Sequence, residues 1–310
     1  QRAFTILSDG DELYAGGAFS QMADVTANKV ARWDGATWHA LGNGIGVLGS
    51  LNDTVYALAV FNGELYAGGS FFQAGGQPAS NLARWNGNAW TPLFVGNFGN
   101  GDAVYALRAN AEYLYVGGSF SSAGGISARN IVRFDGSTWS SLAGATDQGV
   151  NQPVSTILPL GTDVYVGGGF TEAGGNPVNY LARWDGSAWH ALGSGLESDI
   201  GNTVAALVES AGVLYVGGQF ASAGGTASNN LARWSAGSWY SVGTAAENGV
   251  GGRVSTLSIV GNTLHVGGGF NFGGGQPTTG YAQWTIPEVP IHASGFEDAP
   301  ASNIGVWKRQ

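Results

Sequence analysis

Cysteine is absent from this 310-residue chain, which excludes disulfides, thiol catalysis and cysteine-ligated metal sites. The lack fits either redox compartment, because a chain of this length can bury a core without covalent staples. Basic residues are scarce: 12 Lys and Arg stand against 21 Asp and Glu, giving a net charge of -9 and a pI near 4.7. A binder of phosphate backbone needs clustered cations, so nucleic acid is excluded as a partner and anionic membrane is disfavoured on the same ground. No apolar run reaches the roughly 18 residues that a membrane-spanning helix needs, so no membrane insertion is expected. Helical periodicity is missing throughout. The chain opens at Gln1 inside a strand pattern, with no basic n-region or apolar h-region, as expected of a mature chain whose signal peptide has been removed.

What is present is regular. Apolar residues make up 44% of the chain and charged residues 11%, enough for a large core. The 54 glycines have no every-third-residue period and are interleaved with aromatics, which assigns them to turns and bulges. One segment recurs six times: LYAGGAF at Leu13 to Phe19, then LYAGGSF, LYVGGSF, VYVGGGF, LYVGGQF and LHVGGGF. Its first glycine falls at 16, 68, 117, 167, 217 and 267, a spacing of 49 to 52 residues. A repeat running end to end favours one closed structure over two domains.

The second repeat serves as a template. Val55 to Val60 is a short apolar strand ended by Asn62-Gly63, a strong hairpin signal. A second strand covers Glu64 to Phe71, a polar loop runs from Gln73 to Ser80, and a third strand covers Asn81 to Trp85. Asn86-Gly87 turns the chain into a fourth, Ala89 to Leu93. Four antiparallel strands form a twisted sheet that cannot bury both faces alone, so six such sheets around an axis bury one another.

A period near 50, an apolar second strand ending in Gly-Gly and aromatics at fixed later offsets resemble kelch-type β-propellers, including the propeller of galactose oxidase. The fuller grammar, LYVGGxFxxAGG followed by NxARWDGxxWxxLG, is similar to repeats in secreted bacterial proteins. The fold class this implies is all-β, a six-bladed β-propeller of four-stranded antiparallel blades. Its span is 1–295, with blades at about 1–50, 51–100, 101–150, 151–200, 201–250 and 251–295. Residues 296–310 form a C-terminal tail that can pack on the last blade. After Trp284 the turn grammar is lost, and the outer strand of the sixth blade is expected from Val289 to Ser294 or Ile304 to Lys308. Galactose-oxidase chemistry is excluded, because its Tyr–Cys crosslink and copper ligands have no counterpart here.

Ten of the eleven tryptophans fall in two columns, one in the third strand (Trp33, Trp85, Trp184, Trp234, Trp284) and one in the fourth (Trp38, Trp90, Trp139, Trp189, Trp239). Recurrence at one strand position marks packing between sheets before ligand stacking. Arg32, Arg84, Arg133, Arg183 and Arg233 form a third column, replaced by Gln283 in the last repeat. Buried guanidinium groups need partners, and backbone carbonyls of the Gly-rich loop are the expected ones. Asp34, Asp135 and Asp185 head Asp-Gly-x-x-Trp turns that are similar to the Asp boxes of sialidases, with one residue fewer between Asp and Gly; those boxes are folding elements.

Function is expected where the copies stop agreeing. Loops from the fourth strand to the next first strand, and from the second to the third, share one face and are the long ones, so they are the functional face. Where the chain approaches each first strand it carries Arg2, Asp53, Asp102, Asn151, Asn202 and Arg253, a candidate ligand site of acidic and basic sectors at the mouth of the central channel. Asp147, Glu197, Asp199 and Glu247 lie further out, and carboxylates with loop carbonyls would suit Ca²⁺, although no Asp-x-Asp-x-Asp-Gly loop is present. No other cofactor is implied. Met22-Ala23-Asp24 replaces the Ala-Gly-Gly or Gly-Gly-Gly of other repeats, so that loop should differ in shape. The four histidines, His39, His190, His265 and His292, are spread over different repeats and the tail and cannot converge on one ion. Arg108 is the one charge inside the first-strand repeats, placed at a lower turn or on the channel wall.

Nothing supplies a nucleophile with a base, a metal cluster or a phosphate loop. The expected role is therefore a non-catalytic binding or structural propeller, secreted or cell-surface, presenting its loop face to a protein or glycan; self-association through sheet edges is a further option. A multivalent lectin and a glycan-active enzyme with acids at the channel mouth are the alternatives.

Overall fold

The computed structural model describes residues 2–96, 101–143, 149–197, 203–244 and 247–286. Two compact units are distinguished, Gln1–Val164 with Ala173–Gly175 and Trp184–Ala188, and Tyr165–Glu172 with Asn176–Arg183 and Trp189–Gln310. Among the described residues there is no helix, and all regular structure is antiparallel strand.

Each sequence repeat is one sheet, with strands adjacent in chain order. Repeat 1 comprises Arg2–Asp9, Glu12–Ala18, Val30–Trp33 and Trp38–Ala40. Repeat 2 comprises Thr54–Phe61, Glu64–Ser70, Asn81–Trp85 and Trp90–Phe94, within a residue or two of the expected strands. Repeats 3, 4 and 5 begin at Ala103, Val154 and Thr203 and are likewise four-stranded. Repeat 6 shows three strands, Arg253–Val260, Thr263–Gly269 and Tyr281–Thr285. Both segments expected to supply its fourth strand, and the 296–310 tail, lie outside the described residues.

The local grammar has identifiable physics. Asn62 and Gly63 both take positive φ, 51° and 74°, the pair of left-handed residues a type I′ hairpin demands. The other turn uses a different device. Asn86 Oδ1 accepts the backbone N–H groups of Asn88 and Ala89, and Asp34, Asp135 and Asp185 do the same for the residues two and three positions on. These are Asx turns.

The Gly-Gly pair of the second strand serves two purposes. A Cβ on the first glycine would meet a valine of the next repeat: Val55 Cγ1 at 2.6 Å from Gly16, Val104 at 2.5 Å from Gly68, Val154 at 2.5 Å from Gly117 and Val254 at 2.5 Å from Gly217. Each such valine is fully buried, worth about 1.5–3 kcal/mol of transfer free energy. On the second glycine a Cβ would strike the first strand of its own repeat, 1.9 Å from the Thr54 carbonyl oxygen at Gly69 and 2.0 Å from that of Ala103 at Gly118. That carbonyl crowds in because the first strand is bulged. Register slips between Ala3 and Thr5, Val55 and Ala57, Val104 and Ala106, Val204 and Ala206, and Val254 and Thr256. One residue is thereby left unpaired in each of these strands.

Candidate functional site

The loop face is built by hydrogen bonds that join successive repeats. Between second and third strands each repeat carries a two-plus-two-residue hairpin, such as Gln73–Ala74 with Gln77–Pro78. The loop leaving the preceding repeat docks on it. Ile45 bridges to Ala74, Val95 to Ala123, Val150 to Ala173, Leu196 to Ala223 and Val250 to Gly273. Around the first of these, Gly75 N–H donates to Gly44 O at 2.8 Å and Gly46 N–H to Gln73 O at 2.7 Å. Buried Ile45 joins the core cluster that holds Phe71, Ala74, Ala79, Ala83 and Trp90. The equivalent cluster of repeat 1, Phe19, Ala27, Ala31 and Trp38, is joined by Met22 from its own hairpin. This is how the Met22-Ala23-Asp24 loop departs from the others, with Ala23 taking the left-handed conformation that Gly75 has in repeat 2.

Loops are also tied within repeats. Asn81, Asn130 and Asn230 adopt φ of 62° to 69° and donate through Nδ2 to the carbonyls of Val95, Val150 and Val250 at 2.8–2.9 Å. In repeat 1 this place is taken by buried Lys29, whose Nζ donates to Ser50 O at 2.8 Å. Burial lowers the Lys29 pKa, opposed by the Asp53 carboxylate nearby.

The predicted mouth residues are therefore embedded in loop architecture. Asp53 is buried; its Oδ2 accepts Val47 N–H at 2.9 Å and its own N–H donates to Ser50 Oγ at 3.3 Å. Half-buried Asp102 sits against Gly96 as Asp53 does against Gly46, with its Oδ2 2.5 Å from where a Cβ on Gly96 would sit. Asn151 is half-buried. Arg2 and Arg253 are exposed at the start of their first strands, paired with Ala18 and Gly269. They belong to different units, and Asn202 lies outside the described residues.

Of the acidic set, Asp147 and Asp199 also lie outside the described residues. Glu197 accepts Ser222 Oγ at 3.0 Å from the next repeat's hairpin, and Glu247 leans on Gly275 of the hairpin that follows it. Among the described residues no three His, Asp or Glu side chains group as metal ligands.

The tryptophan columns pack on themselves. Trp33–Trp38, Trp85–Trp90 and Trp234–Trp239 centroids lie 5.1–5.5 Å apart. Trp90 Nε1 donates to Leu41 O and Trp239 Nε1 to Leu192 O, each at 2.8 Å and each reaching the preceding repeat.

The arginine column departs from expectation. Arg32 pairs with Glu12 and Arg84 with Glu64 at 3.1 Å. Arg133 donates to Ser140 Oγ and lies over the Tyr113 ring, and Arg233 donates to Ser241 O and lies over Tyr240. None of these partners is a carbonyl of the Gly-rich loop. The cause is register, which sets Arg32 opposite Tyr14 and Arg84 opposite Tyr66, one strand away from that loop. Those tyrosines are held neutral; burial, then the Glu12 carboxylate, pushes Tyr14 up to about 12.

His39 Nε2 lies 2.5 Å from Asp34 Oδ2 on the surface, His265 Nδ1 lies 2.6 Å from Tyr281 OH, and His292 is outside the described residues.

A set that sequence reading passed over sits on the bulges. Phe4, Tyr56 and Tyr105 are the unpaired residues of three successive first strands. Their ring centroids lie 5.7 and 5.4 Å apart, with Phe4 50% and Tyr105 37% exposed. The signal was available: the aligned residues of the other repeats are Ser155, Ala205 and Ser255.

Two stretches, residues 62–88 and 114–137, match a family model described as a domain of unknown function (DUF5122) beta-propeller. They cover the second and third strands of repeats 2 and 3. No curated protein matches the chain. Among solved structures, the computationally designed Ika8 protein is similar at 14% identity and a TM-score of 0.50, over 89% of this chain and 72% of that one. The extracellular domain described as part of a hybrid two component system from B. thetaiotaomicron is similar at 14% identity and a TM-score of 0.53, over 93% of this chain. This chain spans about a third of that domain, 34% of its length. Identities this low speak to fold alone. The repeated four-stranded antiparallel sheets and the matched stretches support a β-propeller.

Proposed function

We propose that this chain is a non-catalytic extracellular binding module. In this reading it is a kelch-like propeller of six blades, secreted or displayed at the cell surface, that presents its loop face to a protein partner. One observation carries the reading. In the loop between repeats 1 and 2, Val47, Leu48 and Leu51 are 51%, 61% and 93% exposed, on a backbone clamped by Asp53 at Val47 N–H and by Lys29 at Ser50 O. Exposed aliphatic side chains grouped on a fixed loop form an apolar patch of the kind that marks interaction surfaces. A pre-ordered loop also loses little conformational freedom on docking.

The test places a photo-crosslinking residue at Leu51 and, as control, at Asn88, in the turn at the other end of the strands, and exposes both proteins to surface extract of the producing cells. A discrete adduct from position 51 that Leu48→Asp suppresses is expected. Equal labelling from both positions, or none from Leu51, overturns the reading.

A further inference from the structure

Apart from the loop face, the first strands of repeats 1 to 3 carry a surface of their own. Exposed aromatic rings in contact are uncommon on a soluble protein unless they meet something. Here Phe4 and Tyr105, with half-buried Tyr56 between them, stand in series on β-bulges, where core packing does not require them: the same position holds Ser155, Ala205 and Ser255 in the other repeats. No hydrogen bond to protein engages the Tyr56 or Tyr105 hydroxyl among the described residues, and the two phenols are near enough for Tyr56 to help raise the Tyr105 pKa, after burial.

Arg108 lies on the same strand as Tyr105, about 10 Å along it. It is exposed to solvent, yet surrounded by enough protein that burial lowers its pKa. Both hold for a side chain on a concave wall. It donates to the adjacent Leu107 carbonyl at 3.2 Å, and among the described residues no carboxylate pairs with it. Leu7, Ala59, Leu158, Val208 and Ser258 occupy the aligned positions, so folding does not require the charge.

We infer that Phe4, Tyr56, Tyr105 and Arg108 form a binding site for a short oligosaccharide carrying one carboxylated sugar. Aromatic faces take the apolar faces of sugar rings, the free phenol hydroxyls meet sugar hydroxyls, and the guanidinium takes the carboxylate in a paired hydrogen bond. One guanidinium on the Tyr105 strand, in a chain of net charge -9, matches one carboxylate. A nucleic acid strand would also stack on such rings, but its backbone needs several cations. The inference uses none of the loop-face residues, so it stands or falls apart from the proposal above.

Calorimetric titration of the full chain with xylotriose bearing one glucuronate, against plain xylotriose and a short oligothymidylate, tests it. The acidic sugar is expected to bind at least about tenfold tighter than the neutral one, with Arg108→Gln removing that preference and Tyr56→Ser or Tyr105→Ser weakening both sugars about tenfold. Serine already stands at the aligned position in repeats 4 and 6, so these variants are expected to keep the wild-type melting temperature, which is measured alongside. Absence of binding at millimolar sugar, a preference that survives Arg108→Gln, or tighter binding of the oligothymidylate overturns the inference.

Discussion

Repeats 1 and 2 have the same grammar and close the same niche by different means. In repeat 2 the space between Phe71, Ala79, Ala83 and Trp90 is closed by Ile45, which belongs to the preceding repeat. In repeat 1 the space between Phe19, Ala27, Ala31 and Trp38 is closed by Met22, next to the turn of its own hairpin. A small residue at the bridge position, Ala74, leaves room for a neighbour, and a long flexible one fills the room itself. Cooperativity between repeats 1 and 2 is thus written into a single side-chain volume. The Gly-Gly pair makes the same distinction at the other end: Gly68 receives Val104 of the next repeat, while Gly267 faces only Thr256 of its own.

The contrast is sharpest on truncation. Ile45→Ala is expected to cost about 3 kcal/mol of stability by denaturant titration, since it opens a fully enclosed cavity. Half-buried Met22→Ala should cost only about 1 kcal/mol, and equal losses would mean that the niches are not closed independently. Gly68→Ala, which must displace buried Val104, is expected to lose about 2 kcal/mol, and Gly267→Ala well under half of that because only a threonine methyl has to yield. Asn81→Ala removes the bond to the Val95 carbonyl and places alanine at φ 62°, for a further loss of about 1–2 kcal/mol. Asn81→Asp should recover little of it, since a carboxylate cannot donate to that carbonyl.

The smallest effect concerns the Asx turns, where repeat 2 uses neutral Asn86 and repeats 1 and 3 use Asp34 and Asp135. Both carboxyls are held well below the usual carboxylate range, Asp34 first by the Thr37 N–H and Asp135 first by the Thr138 hydroxyl. A depressed folded-state pKa contributes stability at pH above about 4 and loses it as pH falls through the folded value. Replacing both by Asn keeps the acceptor that Asn86 already provides. The double variant should melt with the wild type at pH 7 and fall less steeply below pH 4; parallel acid profiles would show that these turns do not carry the pH dependence.

Strands and turns were legible because their causes are local. Alternation, Asn62-Gly63 and the Asp-Gly turns act within a few residues, so the strand bounds of repeat 2 follow from its own letters. The site was less legible because its causes lie between repeats or depend on a half-step in register. Alternation set Arg84 on the correct face but did not identify Glu64 as its partner, a position that carries a carboxylate in three of the six repeats, as Glu12, Glu64 and Asp163. Charge marked Asp53 as a mouth residue; its side chain accepts the Val47 N–H of its own loop and lies near Lys29, contacts that its charge alone did not reveal. The bulge was the decisive omission: one extra residue leaves Phe4, Tyr56 and Tyr105 out of the alternation by which core and surface positions were assigned.

That unpaired residue gives the fold a freedom that its core does not have. Packing holds the flanking positions of each first strand to Val or Ala on one side and Ala or Thr on the other, while the position between them reads Phe, Tyr, Tyr, Ser, Ala and Ser from repeat 1 to repeat 6. A lineage carrying such a frame can rewrite six letters and acquire a different recognition surface while inheriting the same scaffold.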